Sequence, residues 1–258
     1  MTALRLARIC LHLLAGLLTC ALVFPFAGET GRARCIRRWS VKLLGLCQVE
    51  VELIDAAVGA TPSHALIVAN HISWLDIFVI NSWHPCRFVA KADIRAWPLL
   101  GWLCEKSGTI FIERGSLRAV RHIYAGLVHR LRDGERVAFF PEGTTSVQGS
   151  VLPFHSNLFE SAIEAQVPVQ PFALRYLSVE GEPGRFGEAS RFHPAVTFID
   201  DMTFVESLLV ILKGGRIRAE LVRLPLIETA GGHRRDLAQA AQRAIAAEVA
   251  AAEGLRAA

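Results

Sequence analysis

No C-x-x-C pair occurs among the six cysteines of this chain, which stand at positions 10, 20, 35, 47, 86 and 104. That scatter supplies neither a zinc site nor a disulfide framework, and no metal site is expected. Free thiols in a reducing compartment are the simpler reading, so a cytoplasmic location is favoured. There is no G-x-S-x-G elbow, which counts against a serine esterase. No stretch beyond the N-terminus interleaves basic residues with aromatics, which counts against nucleic acid as a partner. Internal repeats and linkers are missing as well, and 258 residues fit one large domain with room for a substantial core. Charge is sparse, at 20% of residues against 52% hydrophobic, and the mean hydropathy is +0.35. The chain is oily for a soluble protein and too mixed for a polytopic one. Its formal net charge of +4 and pI of about 8.9 favour anionic partners, lipid headgroups and phosphorylated substrates among them.

The oiliest stretch comes first. Residues 9–26 are nearly unbroken apolar sequence, interrupted by His12 and Thr19. Spanning a hydrocarbon core takes roughly 17–25 residues, so this run sits at the lower limit. Arg5 and Arg8 could head a signal peptide, yet no clean small-x-small cleavage site comes after the run. Instead the chain continues into Arg32, Arg34, Arg37, Arg38 and Lys42, a cluster that resists translocation. Ile36, Trp39, Leu43, Leu44 and Cys47 recur at helical spacing with the basic residues largely opposite. That pattern suits a helix lying in the headgroup region. A shallow or re-entrant insertion is expected, with a single span and a buried core helix as the alternatives. Residues 1–47 are read as a membrane-associated helical segment and 48–258 as the domain it anchors.

Beyond it, strand-like and helix-like runs alternate. Strands are expected at 48–54, 64–69, 87–90, 109–113, 136–140, 169–175, 195–199 and 217–224. Helices fit at 73–83, after Ser116, near His155, from Thr203 and over 234–253. Thr203-x-x-Glu206 makes a capping box, and Leu237, Ala241, Ile245 and Val249 share one face of the last helix. Such alternation indicates a layered α/β domain.

His71 stands where the second strand gives way to a helix, the position at which ligands and catalytic side chains of α/β proteins converge. Asp76, five residues on, can fold back onto the imidazole and fix its tautomer, leaving the other nitrogen to take a proton from an alcohol. Ser73-x-x-Asp76 is equally a capping box, in which Asp76 only satisfies helix N–H groups. Three further segments accompany the pair: 108–115, a strand delivering Arg114; Phe140-Pro141-Glu142-Gly143-Thr144-Thr145-Ser146, a strand ending in a tight turn; and Val167-Pro168-Val169-Gln170-Pro171.

In that order the four segments resemble the four sequence blocks of the glycerolipid acyltransferase family, whose best-known bacterial members are 1-acylglycerol-3-phosphate acyltransferases. The resemblance covers residues 49–224. It implies a single layered α/β domain with a central mixed sheet flanked by helices, preceded by an N-terminal membrane-docking helical motif. It implies transfer of a fatty acyl group from a thioester, acyl-CoA or acyl carrier protein, to the free hydroxyl of a lysolipid. The leading acceptor is 1-acyl-sn-glycerol-3-phosphate, giving phosphatidic acid. No cofactor is implied beyond that co-substrate. The expected partners are the lysolipid, the acyl thioester and the lipid surface, at the cytoplasmic face of a bacterial inner membrane.

By the same resemblance His71 is the base and Asp76 its orienting partner. Arg114 corresponds to a phosphate-contacting arginine, since a guanidinium grips phosphate oxygens bidentately. Glu142, Gly143 and Thr144 fall in the acceptor-binding block. Lys91 corresponds to a lysine near the active site, able to stabilise negative charge on the thioester oxygen or to contact phosphate. Read alone, Arg114 and Lys91 are ordinary surface charges and Glu142-Gly143 an ordinary turn. One departure stands out: Thr145 occupies a position that is commonly arginine in lysophosphatidate-specific members. The Thr-Thr-Ser form, followed by Gly149 and Leu152-Pro153-Phe154, resembles lyso-ornithine lipid and other lysophospholipid acyltransferases. A non-catalytic membrane lipid-binding protein is the rival of another class, and it leaves His71, Asp76, Arg114 and Glu142 without a common purpose. Trp97, Leu99, Leu100, Trp102 and Leu103 read first as core packing, and also suit a membrane interface or an acyl-chain groove.

Overall fold

Leu66–Ala69, four consecutive apolar residues, forms a strand buried on both faces, as a run without alternation requires. Around it the computed structural model builds a seven-stranded sheet. The structure describes residues 2–57, 62, 64–97, 99–112, 117–179, 192–199 and 201–254. The strands are β1 (Val49–Asp55), β2 (Leu66–Ala69), β3 (Arg87–Lys91), β4 (Ile110–Ile112), β5 (Val137–Phe139), β6 (Val169–Ser178) and β7 (Ile217–Arg223). Their order is β1-β7-β6-β2-β5-β3-β4. β6 and β7 pair antiparallel and all other neighbours are parallel, so the sheet is mixed. The parallel run β6-β2-β5-β3-β4 brings the C-terminal ends of these strands to one edge, where an α/β sheet collects its functional loops.

The helices are α1 (Thr2–Leu22), α2 (Glu29–Leu46), α3 (Asp76–Trp83), α4 (Leu100–Lys106), α5 (Leu117–Arg132), α6 (Glu160–Ala165), α7 (Phe204–Gly214) and α8 (Arg234–Gly254). Period-two alternation divides the sheet's side chains between two cores. Ile67, Ala69, Phe172, Leu174 and Tyr176 face one, with Ile80 of α3 and Ile211 of α7. Leu66, Val68, Val169 and Ala173 face the other, with Leu127 of α5 and with Leu237, Ala241 and Ile245 of α8. Thr203 caps α7 in the expected reciprocal box with Glu206.

Residues 195–199 are not a strand. Pro194–Val196 forms a short 3-10 helix in which the His193 side chain accepts from Ala195 N. The backbone after it bonds a loop instead of the sheet, Phe198 N donating to Ile72 O at 3.1 Å. The helix expected near His155 begins as a 3-10 turn at Asn157–Phe159 before α6. Between β3 and β4 lies a unit that the periodicity did not reveal, the 3-10 helix Ala92–Ala96 followed by α4.

The N-terminal helices belong to the same body as the sheet. Ile9, Leu43, Leu44 and Cys47 share the core that holds Ile67 and Leu174. α1 turns a narrow stripe of Ile9, His12, Gly16 and Cys20 inward. On it the rings of His12 and Trp39 stack at 4.6 Å. Trp39 Nε1 donates to His12 O at 3.1 Å, and His12 Nε2 lies 3.0 Å from Trp39 O. Gly16 makes that approach possible, because a Cβ there would stand 2.6 Å from Trp39 Nε1. Arg5 fastens the start of α1 to the Gln48 side chain and to Leu212 O. Leu4, Leu11, Leu14, Leu18 and Leu22 are left exposed on its outer side. α1 is long and apolar enough to cross a membrane by length and composition, and it lies along the protein body.

Candidate active site

β2 stops at Ala69, and Asn70 finishes its pairing by side chain. Asn70 Nδ2 donates to Leu174 O at 2.9 Å and Leu174 N donates to Asn70 Oδ1 at 2.7 Å. The chain then leaves the sheet edge with His71 first. Asp76 opens α3 with its side chain fully buried. Its Oδ2 receives His71 Nδ1 at 2.7 Å, Ile72 N at 2.8 Å and Ser73 N at 3.0 Å. Its Oδ1 receives the Tyr176 hydroxyl at 2.6 Å. The backbone amides and the phenol leave Asp76 only the part of acceptor, which assigns the proton to His71 Nδ1 and the lone pair to Nε2. Asp76 does satisfy N–H groups ahead of α3, as the capping alternative requires. The reciprocal Ser73 bond is missing, however, for Ser73 Oγ has no partner among the described residues.

The imidazole is held from its face and through its own peptide groups. Phe140, just past β5, stacks on it at 4.0 Å with planes 6° apart. His71 N donates to Glu142 Oε1 at 2.7 Å, and His71 O accepts from Ser146 N at 2.8 Å. Glu142 Oε2 meanwhile accepts Leu152 N at 2.9 Å. Both oxygens of this buried carboxylate therefore hold backbone N–H groups, and its geometry is that of a brace for the His71 loop. Burial pushes the Glu142 carboxyl above its ordinary range, opposed by those two amides.

Gly143 adopts φ +69°, and a Cβ on it would meet His155 Cδ2 at 3.3 Å. Thr144 beside it is exposed. Thr145 donates its hydroxyl to Phe198 O and so ties the turn to the loop beyond the 3-10 helix. Lys91 is exposed at the C-terminal end of β3, on the same sheet edge as His71. β4 pairs with β3 up to Ile112 opposite Lys91. Arg114 lies outside the described residues. The structure thus brings His71, Asp76 and Glu142 into one hydrogen-bonded cluster, with Gly143 and Thr144 on the adjoining turn and Lys91 along the edge.

Tyr176 and Phe140 belong to the cluster and were not among the expected site residues. Tyr176 carried a signal all the same: a tyrosine that shares one strand face with Phe172 and Leu174 must find a partner for its hydroxyl. Burial beside Asp76 pushes its phenol well above the ordinary range, so it stays a donor. Its backbone is fixed as well, Tyr176 N donating at 2.9 Å to Gln148 Oε1.

Residues 51–175 match the family model described as Acyltransferase. A lyso-ornithine lipid O-acyltransferase of Pseudomonas aeruginosa is 43% identical over 146 residues, 56% of this chain and 55% of that protein. A 1-acyl-sn-glycerol-3-phosphate acyltransferase of Neisseria meningitidis is 43% identical over 121 residues, 47% of this chain and 48% of that protein. The chain thus spans about half the length of the curated relatives it matches. The crystal structure of the 1-acyl-sn-glycerophosphate acyltransferase of Thermotoga maritima superposes with a TM-score of 0.67 at 19% identity, covering 100% of this chain and 99% of that one. It shares the fold.

Proposed function

We propose, from the premise that residues 51–175 form an acyltransferase-family domain, that the chain transfers a fatty acyl group from an acyl thioester to the free hydroxyl of a lysolipid. One observation carries this reading. His71 Nδ1 is engaged by a buried carboxylate at 2.7 Å whose other oxygen is satisfied by Tyr176, so Nε2 is the basic atom. His71 Nε2 takes the proton of the lysolipid hydroxyl as its oxygen attacks the thioester carbonyl. The tetrahedral intermediate then expels the thiolate, and the imidazolium returns the proton to that sulfur. The thioester arrives activated, so the step calls for no enzyme nucleophile and no cofactor. Asp76 offsets the charge of the imidazolium, and Glu142 and Ser146 keep its loop in place. Lys91 and Arg114 supply cationic contacts to the acceptor or to the developing oxyanion, with Gly143 and Thr144 giving the acceptor room to approach.

The acceptor we favour is 1-acyl-sn-glycerol-3-phosphate, with acyl-CoA or acyl carrier protein as donor. Thr145 supports a second reading, a lyso-ornithine lipid or another lysophospholipid. Its hydroxyl is committed to Phe198 O, and the position adds no cation for a phosphate. In this account residues 1–47 dock the domain, residues 48–258, on the cytoplasmic face of the membrane, with the exposed leucines of α1 in the acyl region and the basic side chains of α2 at the headgroups. The test is an acceptor panel with purified protein and a labelled acyl thioester, comparing lysophosphatidate, lyso-ornithine lipid and lysophosphatidylethanolamine. Esterification of at least one is expected. Failure with all three, under conditions where the protein is folded, overturns the reading.

A further inference from the structure

The segment between β3 and β4 presents apolar side chains to solvent in a way that is built. Leu99 sits at φ +63° and ψ −47°, a conformation that residues with a Cβ seldom adopt, and its side chain is 66% exposed. Trp97 is 44% and Trp102 38% exposed. They are not on a loose loop. Trp97 N donates to Ile94 O at 3.1 Å, Gly101 N to Trp97 O at 2.9 Å and Leu103 N to Leu99 O at 2.9 Å. α4 sits so close on the 3-10 helix that a Cβ at Gly101 would stand 2.2 Å from Arg95 O. Backbone strain at Leu99 and this close approach hold the three side chains outward, where a chain seeking only its own stability would fold them in.

Position says what meets them. α4 packs beside α1. α4, which carries Trp102 and follows Trp97 and Leu99 directly in sequence, thus adjoins the helix whose outer leucines are exposed. It also follows β3, which ends on the sheet edge that carries His71. Lys106 Nζ lies 5.8 Å from the centroid of the Trp102 ring, an aromatic body beside a cationic tip, as at membrane–water boundaries. Asp93 and Glu105 balance Arg95 and Lys106 within the segment, and Arg95 pairs with Glu105 at 3.2 Å. Its attraction to a bilayer is therefore apolar, unlike that of the basic α2.

We propose that residues 92–106 form a second lipid-contacting element, which inserts Trp97, Leu99 and Trp102 into the bilayer beside α1 and turns the His71 edge toward the membrane. The proposal rests on the membrane-surface reading above. Its test is sedimentation of the 258-residue chain with phosphatidylethanolamine/phosphatidylglycerol vesicles at low and high salt. The variants are Trp97→Ser/Leu99→Asn/Trp102→Ser and, on α1, Leu11→Ser/Leu14→Ser/Leu18→Ser. Folding is checked by circular dichroism. The first variant is expected to lower partitioning about 10–100-fold, equally at both salt concentrations, because apolar insertion is not screened. Should that variant misfold, Trp97→Phe/Trp102→Phe keeps the packing, and vesicles with brominated acyl chains quench wild-type fluorescence more than that of the variant. Partitioning of the folded Ser/Asn/Ser variant that equals wild type, or equal quenching of the Phe variant, overturns the proposal. So does unchanged partitioning with a raised KM for long-chain acceptors alone, which reassigns the trio to an acyl-chain groove. A wild-type chain that does not sediment removes the membrane reading itself, a distinct outcome.

Discussion

The hydroxyl of Tyr176 donates to Asp76 Oδ1 at 2.6 Å, joining strand β6 to the first residue of α3 across 100 positions of sequence. This bond occupies the oxygen that His71 does not use. Asp76 is thereby held through both oxygens, and the His71 imidazole is oriented through it by the sheet.

Tyr176→Phe removes that donor and leaves a buried carboxylate oxygen unpaired. A hydrogen bond to a charged group contributes about 1.5–3 kcal/mol, and each 1.4 kcal/mol is about a factor of ten in rate. The variant is expected to lose roughly tenfold or more in kcat with KM little changed, and steady-state kinetics on the purified protein check it. A rise in KM alone would place Tyr176 in the acceptor site.

Glu142→Gln tests the brace. An amide has one oxygen, so its NH2 must face either His71 N or Leu152 N, at a cost of about 1–3 kcal/mol. The pH dependence has a definite sign. Burial raises the Glu142 carboxyl above its ordinary value of 4.5, so the folded chain binds this proton more tightly than the unfolded one. The contribution to stability is present below about pH 4.5 and is lost as pH rises through the folded value. Denaturant titrations between pH 4 and pH 8 should show the wild-type advantage over the variant shrinking as pH increases.

Gly143→Ala places a Cβ at φ +69° and 3.3 Å from His155 Cδ2. A residue with a Cβ in that conformation costs about 1–2 kcal/mol. The expected result is a lower unfolding midpoint together with reduced transfer, because the strained turn carries Glu142. Thermal melts and acyl-transfer assays of the same preparation measure both.

The thiols report on packing. Burial pushes Cys47 and Cys86 up to about 12, while Cys10 is exposed. At pH 8 an alkylating reagent should modify Cys10 quickly, and should reach Cys47 and Cys86 roughly 100-fold more slowly or only on unfolding. Peptide mass spectrometry over a time course gives the order.

Much of this arrangement was legible in the sequence, for reasons particular to each element. Leu66–Ala69 read as a strand because its unbroken apolar run suits burial on both faces, and Thr203-x-x-Glu206 marked α7 through local chemistry alone. The spacing of His71 and Asp76 placed both at the mouth of a strand. Residues 195–199 misled, since the nearly unbroken apolar run Ala-Val-Thr-Phe-Ile mimics a buried strand, whereas the backbone of Phe198 in fact bonds Ile72. The α4 unit was hidden by Pro98 and Gly101, which interrupt helical periodicity although Gly101 is there to let α4 approach Arg95. Glu142 was located, but spacing cannot show that two amides already fill its oxygens. The need of Tyr176 for a partner was visible, but not that the partner is Asp76, 100 positions away, because sheet order and not sequence distance sets it.

The central claim is that His71 Nε2 takes the proton of the acceptor hydroxyl. The most direct measurement is transfer of a labelled acyl group by His71→Ala, compared with wild type in the same vesicles and on an acceptor that wild type esterifies. Loss of roughly 100-fold to 10,000-fold, with folding and vesicle binding retained, is the predicted outcome. Transfer at the wild-type rate by a folded, membrane-bound variant would contradict the account.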